Sequence, residues 1–384
     1  MEPDQSEPRR RGRVPLGRRD RAVRFVVMIV LLSVFLIAIN LLGNGIAMLG
    51  EDLTDQLFRG LDNPLVGLSV GVLATVLAQS SSVTTATVVS LVGAGVIGLG
   101  DAVPVIMGAN IGTTITNTLA SLGSIRRLEE FRRAFAGATV HDVFNLLAVA
   151  VLLPVELLTG VLSRGAVLLS GPLGDAATGE IQSPIKVGVD AVSALIERVV
   201  EAGVGEGALA GGVLIVLGLG AIFATLFGIT RTMRAVMAGP AERALNEVLG
   251  RAGTLGIIAG AVLTVLVQSS SITTSLMIPM LAAGVLTLRN AYPVTLGANV
   301  GTTVTALLAV LAVDQVAGLQ IALVHLLFNL GGIVLLYGLP MIRDLPVRLA
   351  LRIADLAVHR RFRVVVYVIL LFYVLPLIGI LALR

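Results

Sequence analysis

Gln79-Ser80-Ser81-Ser82-Val83-Thr84-Thr85 puts one carboxamide and five hydroxyls into seven consecutive residues, and Gln268-Ser269-Ser270-Ser271-Ile272-Thr273-Thr274 does so again 189 residues later. Hydroxyls, carboxamide N–H groups and exposed helix N-termini all donate to a tetrahedral oxyanion. The oxygens of the same groups suit a hard cation such as sodium. Neither run holds a Lys or Arg, so an anion's charge would be offset by helix dipoles and co-bound cations. A second pair of motifs keeps the same offset: Gly108-Ala109-Asn110-Ile111-Gly112-Thr113-Thr114 and Gly297-Ala298-Asn299-Val300-Gly301-Thr302-Thr303. Their glycines, amides and hydroxyls predict breaks in two spans, where freed carbonyls and side-chain oxygens bind sodium. A third pair, His141-x-x-Phe144-Asn145 and His325-x-x-Phe328-Asn329, follows at an offset of 184. His141, Asp142 and His325 are ionisable groups in or beside apolar spans and so are site candidates by default.

The competing reading of each motif is packing. Small and hydroxylated residues join helices in membranes, and a Gly/Thr-rich stretch can be nothing more than a close-packed face. Two copies in register favour a site at Gln79–Ser82 and Gln268–Ser271. Thr84, Asn110, Thr113, Thr114 and Thr273, Asn299, Thr302, Thr303 are then the sodium candidates. His141, Asn145, His325 and Asn329 act in support, and the basic loop residues serve only to set topology.

A register held this long is a duplicated unit. Gln79 is preceded by 14 uncharged residues, 65–78, and the run after Thr85 stays apolar to Gly100. Spanning a bilayer takes about 20 residues, so the arms at 65–99 and 252–287 read as re-entrant hairpins with polar tips near mid-membrane. Irregular backbone at that depth must be buried or line a wet cavity. Paired, interrupted segments at matching places in two halves point to a transporter site.

Composition agrees. The 384 residues are 56% hydrophobic and 14% charged, with mean hydropathy +0.95. Soluble domains carry roughly 25% charged residues, so the fold class is an all-α polytopic membrane protein with two inverted-topology repeats, each holding a re-entrant hairpin and an interrupted transmembrane helix. The pI near 10.1 reflects Arg scattered between apolar runs rather than a nucleic-acid patch. Cysteine is absent, which removes disulfides, thiolate metal sites and a Cys nucleophile. No Asn-x-Ser/Thr acceptor occurs.

In chain order, the sequence predicts an Arg-rich cytoplasmic tail (1–22), a first repeat (23–158), an extracytoplasmic connector with a surface helix (159–208), a second repeat (209–340), and a cytoplasmic amphipathic segment leading to a last span (341–384). Segments 1–24, 126–133, 231–251, Arg289 and 343–363 hold most of the 28 basic residues, and connections 51–64, 159–208 and 312–319 are acidic on balance. The positive-inside tendency puts the first group in the cytoplasm. The basic loop at 126–133 and its counterpart around Asp314 then fall on opposite faces, which inverts the repeats. An intramembrane Ser–His hydrolase is the reading from another class. It needs one base oriented on one nucleophile, and no Gly-x-Ser-x-Gly elbow is present. A channel or an exchanger of another solute stays open.

At Val76–Thr85, Ile106–Thr118, Phe131–Asn145, Leu152–Glu156, Gln268–Thr274, Ala291–Thr303 and Gln320–His325 the chain resembles the type II sodium-dependent phosphate cotransporter family. The resemblance implies sodium-driven uptake of inorganic phosphate, with the paired Gln-Ser-Ser-Ser runs forming the substrate and sodium region. It implies no enzyme activity, no cofactor and no metal beyond sodium as coupling ion. It also implies a multi-pass protein of the plasma membrane. Animal members carry a large Cys-bearing, glycosylated loop between the repeats and a further span after the last one. The short connector here points to a prokaryotic member in a bacterial inner membrane, with the C-terminus outside. Residues alone reach only an inverted-repeat transporter of a small, anionic solute; arsenate, another oxyanion, the coupling number and the oligomeric state all stay open.

Overall fold

The computed structural model describes residues 18–178, 184–249, 253–313, 315–360 and 362–383. The tail at 1–17, Arg251 and Asp314, used above to orient the chain, lie outside them. The described residues are mainly helical, with no strand among them. In chain order the helices are α1 Arg18–Ala47, α2 Glu51–Phe58, α3 Pro64–Ala78, α4 Ser81–Gly93, α5 Leu99–Gly112, α6 Ile115–Ser121, α7 Leu128–Thr159, α8 Val161–Thr178, α9 Pro184–Val204, α10 Ala208–Leu249, α11 Thr254–Val267, α12 Ser270–Ser275, α13 Met277–Ala282, α14 Leu288–Val310, α15 Val316–Leu336, α16 Leu345–Val358, α17 Phe362–Ile369 and, after one π turn, α18 Leu375–Leu383.

Among the described residues, six helical stretches are long and apolar enough to cross a membrane: Ala22–Ala47, Leu128–Thr159, Ala208–Met233, Leu288–Val310, Val316–Leu336 and Phe362–Leu383. Helices α3, α4 and α11, and the run through α12 and α13, are apolar but shorter. At 1.5 Å per residue the 15-residue α3 reaches roughly 22 Å, against a hydrocarbon core of about 30 Å. Local sequence sets their ends. Asn63 accepts from the Leu65 N–H at 3.0 Å with Pro64 at the first helical position, a pre-organised helix start. Gln79 and Gln268 stop α3 and α11 in the left-handed conformation, at φ 52° and 55°.

The helix pairs α3–α5 and α11–α14 pack backbone on backbone. A Cβ on Gly108 would lie 2.0 Å from the Leu68 carbonyl oxygen, and one on Gly297 would lie 1.8 Å from that of Ile257. Gly71 and Gly260 make the reciprocal approaches to Val105 and Val294. Of the two expected span breaks, the second is absent and the first is reduced to two residues at the end of its motif. Helix α14 runs unbroken through Gly297–Thr303. The pause between α5 and α6 is only Thr113 and Thr114, both in the right-handed helical region. The glycines serve contact between helices, and the Thr113, Thr114, Thr302 and Thr303 hydroxyls donate to carbonyls one turn back, at 2.8, 2.8, 3.0 and 2.7 Å.

The halves interlock. Helix α16 packs on α7 and α8 on α15, while α4 lies against α15 and α13 against α7. The connector is more helical than expected, because α8 has its own start signal: the buried Glu156 carboxylate accepts from the Leu162 and Ser163 N–H groups at 2.6 and 3.2 Å, and negative charge at a helix N-terminus is stabilising. Arg133, expected only to orient the chain, donates to the Ala282 carbonyl at the end of α13 at 2.9 and 2.7 Å.

Candidate functional site

Each Gln-Ser-Ser-Ser run is a helix end followed at once by a helix start. After the left-handed Gln79, Ser80 turns extended (φ −158°) and its Oγ accepts from the Val83 N–H at 3.3 Å, which starts α4. Ser269 repeats this at φ −160° with the Ile272 N–H at 3.3 Å, starting α12. Both glutamines fold back, their Nε2 donating to the Val76 carbonyl at 2.6 Å and the Val265 carbonyl at 2.7 Å. Behind each tip a threonine pair ties the two arms: Thr75 to Thr84 and Thr264 to Thr273, both at 2.9 Å between hydroxyl oxygens.

Both tips meet. Gln79–Ser82 and Gln268–Ser271 line a single cavity of about 260 Å³, walled on one side by Phe223, Leu226, Phe227 and Thr230 of α10. The N-termini of α4 and α12 lie at this cavity, and its polar lining is neutral carboxamide and hydroxyl. Such a lining can donate to an anion through O–H and N–H groups and accept a cation through oxygens.

Asn110, Thr113 and Thr114, and Asn299, Thr302 and Thr303, do not line that cavity. They belong to the packed interior behind it. The Asn299 carboxamide is bonded at both ends: its Oδ1 lies 2.5 Å from His141 Nε2, and its Nδ2 donates to Asn145 Oδ1 at 2.8 Å. Asn145 donates in turn to the Asn110 carbonyl at 2.8 Å. His141, Asn145 and Asn299 are buried, so this relay joins the halves through the protein interior. The other supporting pair is placed differently. Asn329 donates to the His325 carbonyl of its own helix at 2.9 Å, and its Oδ1 and the His325 Nδ1 have no hydrogen-bond partner.

The Na+/Pi-cotransporter family profile matches residues 34–163 and 222–339, which contain both tips and the whole relay. The chain belongs to this family. Sodium-dependent phosphate transport protein 2B of Homo sapiens is 32% identical over 92% of this chain and 64% of its own length. Sodium-dependent phosphate transport protein 2A of Rattus norvegicus is 32% identical over 93% of this chain and 67% of its own. The chain thus spans about two thirds of the length of these relatives. No solved structure matches it.

Within this Na+/Pi-cotransporter chain, two groups of contacts escape the motif pattern. Asp142 is fully buried, and its Oδ2 accepts from Tyr367 at 2.6 Å and Thr118 at 3.5 Å, while Oδ1 has no partner. Its register equivalent is Leu326, so duplication hides it, and Tyr367 comes from the last span, 225 residues away. Asn117 Oδ1 accepts from Thr274 at 2.9 Å and Ser275 at 3.0 Å, holding the second tip against α6. Its equivalent is Ala306. Asp142 is a candidate as an ionisable group in a span, whereas the one signal for Asn117 is a polar side chain that breaks the repeat.

Proposed function

We propose that this protein is a secondary active transporter that couples inward sodium flux to uptake of inorganic phosphate, alternating access around the cavity between the tips. The observation that carries the reading is the meeting of both Gln-Ser-Ser-Ser tips around one small cavity in a Na+/Pi-cotransporter chain. Relatives at 32% identity that carry sodium-dependent phosphate transport in their names support the solute and the ion. The chemistry fits a symporter: the cavity lining holds donors for a tetrahedral oxyanion.

In this reading phosphate sits among Gln79, Ser80, Ser81, Ser82, Gln268, Ser269, Ser270 and Ser271, facing two helix N-termini. Sodium is held by the oxygens of Thr84 and Thr273, with Asn110, Thr113, Thr114, Asn299, Thr302 and Thr303 acting through side chains and not through freed carbonyls. Asp142, with Thr118 and Tyr367 beside it, adds the carboxylate that a cation in a low-dielectric interior favours. The short arms α3–α4 and α11–α13 are re-entrant hairpins. The positive-inside tendency puts the N-terminus and the 126–133 loop in the cytoplasm and the 159–208 connector outside, which inverts the two repeats in a bacterial inner membrane.

The test is radiolabelled phosphate uptake into proteoliposomes. Accumulation against the phosphate gradient is expected with an inward sodium gradient and is expected to vanish when potassium replaces sodium. Uptake that only equilibrates would make the protein a channel. Preferred uptake of another oxyanion would reassign the solute.

A further inference from the structure

Two sets of polar contacts have a counterpart built from the same residue types in the duplicated register, and in both the counterpart bond is absent. The relay His141–Asn299–Asn145 maps onto His325–Asn110–Asn329. Asn110 Nδ2 instead donates to the Ile106 carbonyl and Asn329 Nδ2 to the His325 carbonyl, each at 2.9 Å and each within its own helix. Asn329 Oδ1, which would receive the Asn110 amide, is buried and has no hydrogen-bond partner. The second case lies at the tips. Thr305 donates to Gln268 Oε1 at 3.3 Å, but no bond joins the equivalent Thr116 to Gln79. Gln268 is half-buried and Gln79 exposed. Each asparagine thus has two settings, across to another helix or back to its own helix one turn earlier, and the two halves hold opposite settings. An orphaned buried acceptor is costly, so Asn329 Oδ1 marks the half whose partner has turned away.

We infer that His325–Asn110–Asn329 and His141–Asn299–Asn145 are alternative relays, and that the protein exchanges one for the other, together with Thr305–Gln268 for Thr116–Gln79, when it passes between its two access states. This deepens the transport reading above and rests on its alternating access. It makes His325, Asn329 and Thr116 positioning residues of the state opposite to the one described, acting through the tips and through the sodium candidate Asn110. A ligand or substitution shifts such an equilibrium only through its different free energy in the two states, and that gives the inference a sign.

The chain has no cysteine, so Thr230→Cys, on the α10 wall of the cavity, is a lone reporter. Its labelling rate by a membrane-impermeant maleimide is measured from each side of sealed, oriented vesicles without sodium or phosphate. In that background Asn145→Leu should raise labelling from one side and lower it from the other, and Asn329→Leu should do the reverse. Each shift should be about two- to tenfold, the value of one net hydrogen bond. The double variant should return towards the parent. Thr305→Val should follow Asn145→Leu and Thr116→Val should follow Asn329→Leu, which keeps the comparison if either asparagine variant fails to fold. Shifts of the same sign in the paired variants, or unchanged labelling in monodisperse protein, would overturn the exchange. Because no gradient is needed, opposite shifts without phosphate uptake would sink the solute and spare the relays.

Discussion

Gln79 and Gln268 carry two loads that can be separated by experiment. Each holds a left-handed turn, at φ 52° and 55°, and each lines the shared cavity. Left-handed backbone costs a residue with a Cβ about 1–2 kcal/mol, and glycine adopts it freely. Gln→Gly at either tip therefore gains roughly 1 kcal/mol of backbone energy and loses the fold-back bond to Val76 or Val265, worth about 0.5–1.5 kcal/mol. The two nearly cancel. Gln→Ala keeps the backbone cost and loses the bond, ending about 1 kcal/mol less stable. Neither change restores the carboxamide, and a hydrogen bond to a charged partner is worth about 1.5–3 kcal/mol. At 1.4 kcal/mol per factor of ten, phosphate affinity should fall roughly ten- to a hundredfold in all four single variants.

The assays are thermal unfolding in detergent and the concentration dependence of sodium-driven phosphate uptake. Melting temperatures should rank Gly at or near the parent and Ala below it, while apparent affinity should drop alike for both. Gly variants that transport with parental affinity would refute the reasoning, since the carboxamides would then only shape the turn. Loss at one tip only would refute the shared cavity.

Three further outcomes follow from the packing and the charge pattern. Gly108→Ala and Gly297→Ala put a methyl within 2.0 Å of a backbone carbonyl that cannot swing aside, so both should fail to give monodisperse protein or lose more than the usual 1–3 kcal/mol of overpacking; Gly100→Ala, with open space around it, should express normally. Single cysteines at Arg127 and Asp62, both exposed, should label from opposite faces of oriented vesicles, and labelling from one face would undo the proposed orientation. The hydrogen bond from Arg132 holds the Asp355 carboxylate below its ordinary range, so the α7–α16 tie is present above the unfolded-state pKa and is lost as pH falls through the folded one. Half-exposed, it contributes well under about 1 kcal/mol, and Asp355→Asn should flatten only that small acid-side fall in melting temperature.

The duplication was legible because identical residue types recur at a constant spacing, and the tips were legible because Gln-Ser-Ser-Ser ends one helix and caps the next within four residues. What faces a residue was not. Gly108 and Gly297 read as freed backbone, yet the reason for them is the carbonyl of Leu68 or Ile257 on a facing helix, which no local pattern displays. Glycine signals conformational freedom and close approach with the same letter. The relay was visible only as its separate parts: His141 and Asn145 were matched to His325 and Asn329 by register, whereas the bonds run from His141 to Asn299, across halves. Helices α8 and α9 were read as a loop with one surface helix because Gly, Ser and Asp thin the apolar pattern. The Glu156 carboxylate that starts α8 sits in the preceding span.

Departures from the repeat fall into two physical kinds, and they bear differently on a transport cycle. Thr305–Gln268 and the His141 relay have counterparts with the same residues in the other half, so their asymmetry belongs to conformation and can be exchanged. Asn117 and Asp142 face Ala306 and Leu326 in the register, so theirs is written into the chain and cannot. Asn117 holds the second tip with two hydrogen bonds for which the first tip has no equivalent residue. A symmetric exchange would leave two access states of equal energy; the Asn117 latch tilts that balance, by about 0.5–1.5 kcal/mol for each net bond made in one state only. Asp142 places a buried carboxylate where the other half has Leu326, so a cation attracted to it would favour one side of the proposed cycle over the other. In the proposed exchange the duplicated residues thus supply the two states, and the unmatched ones decide how unequally they are populated.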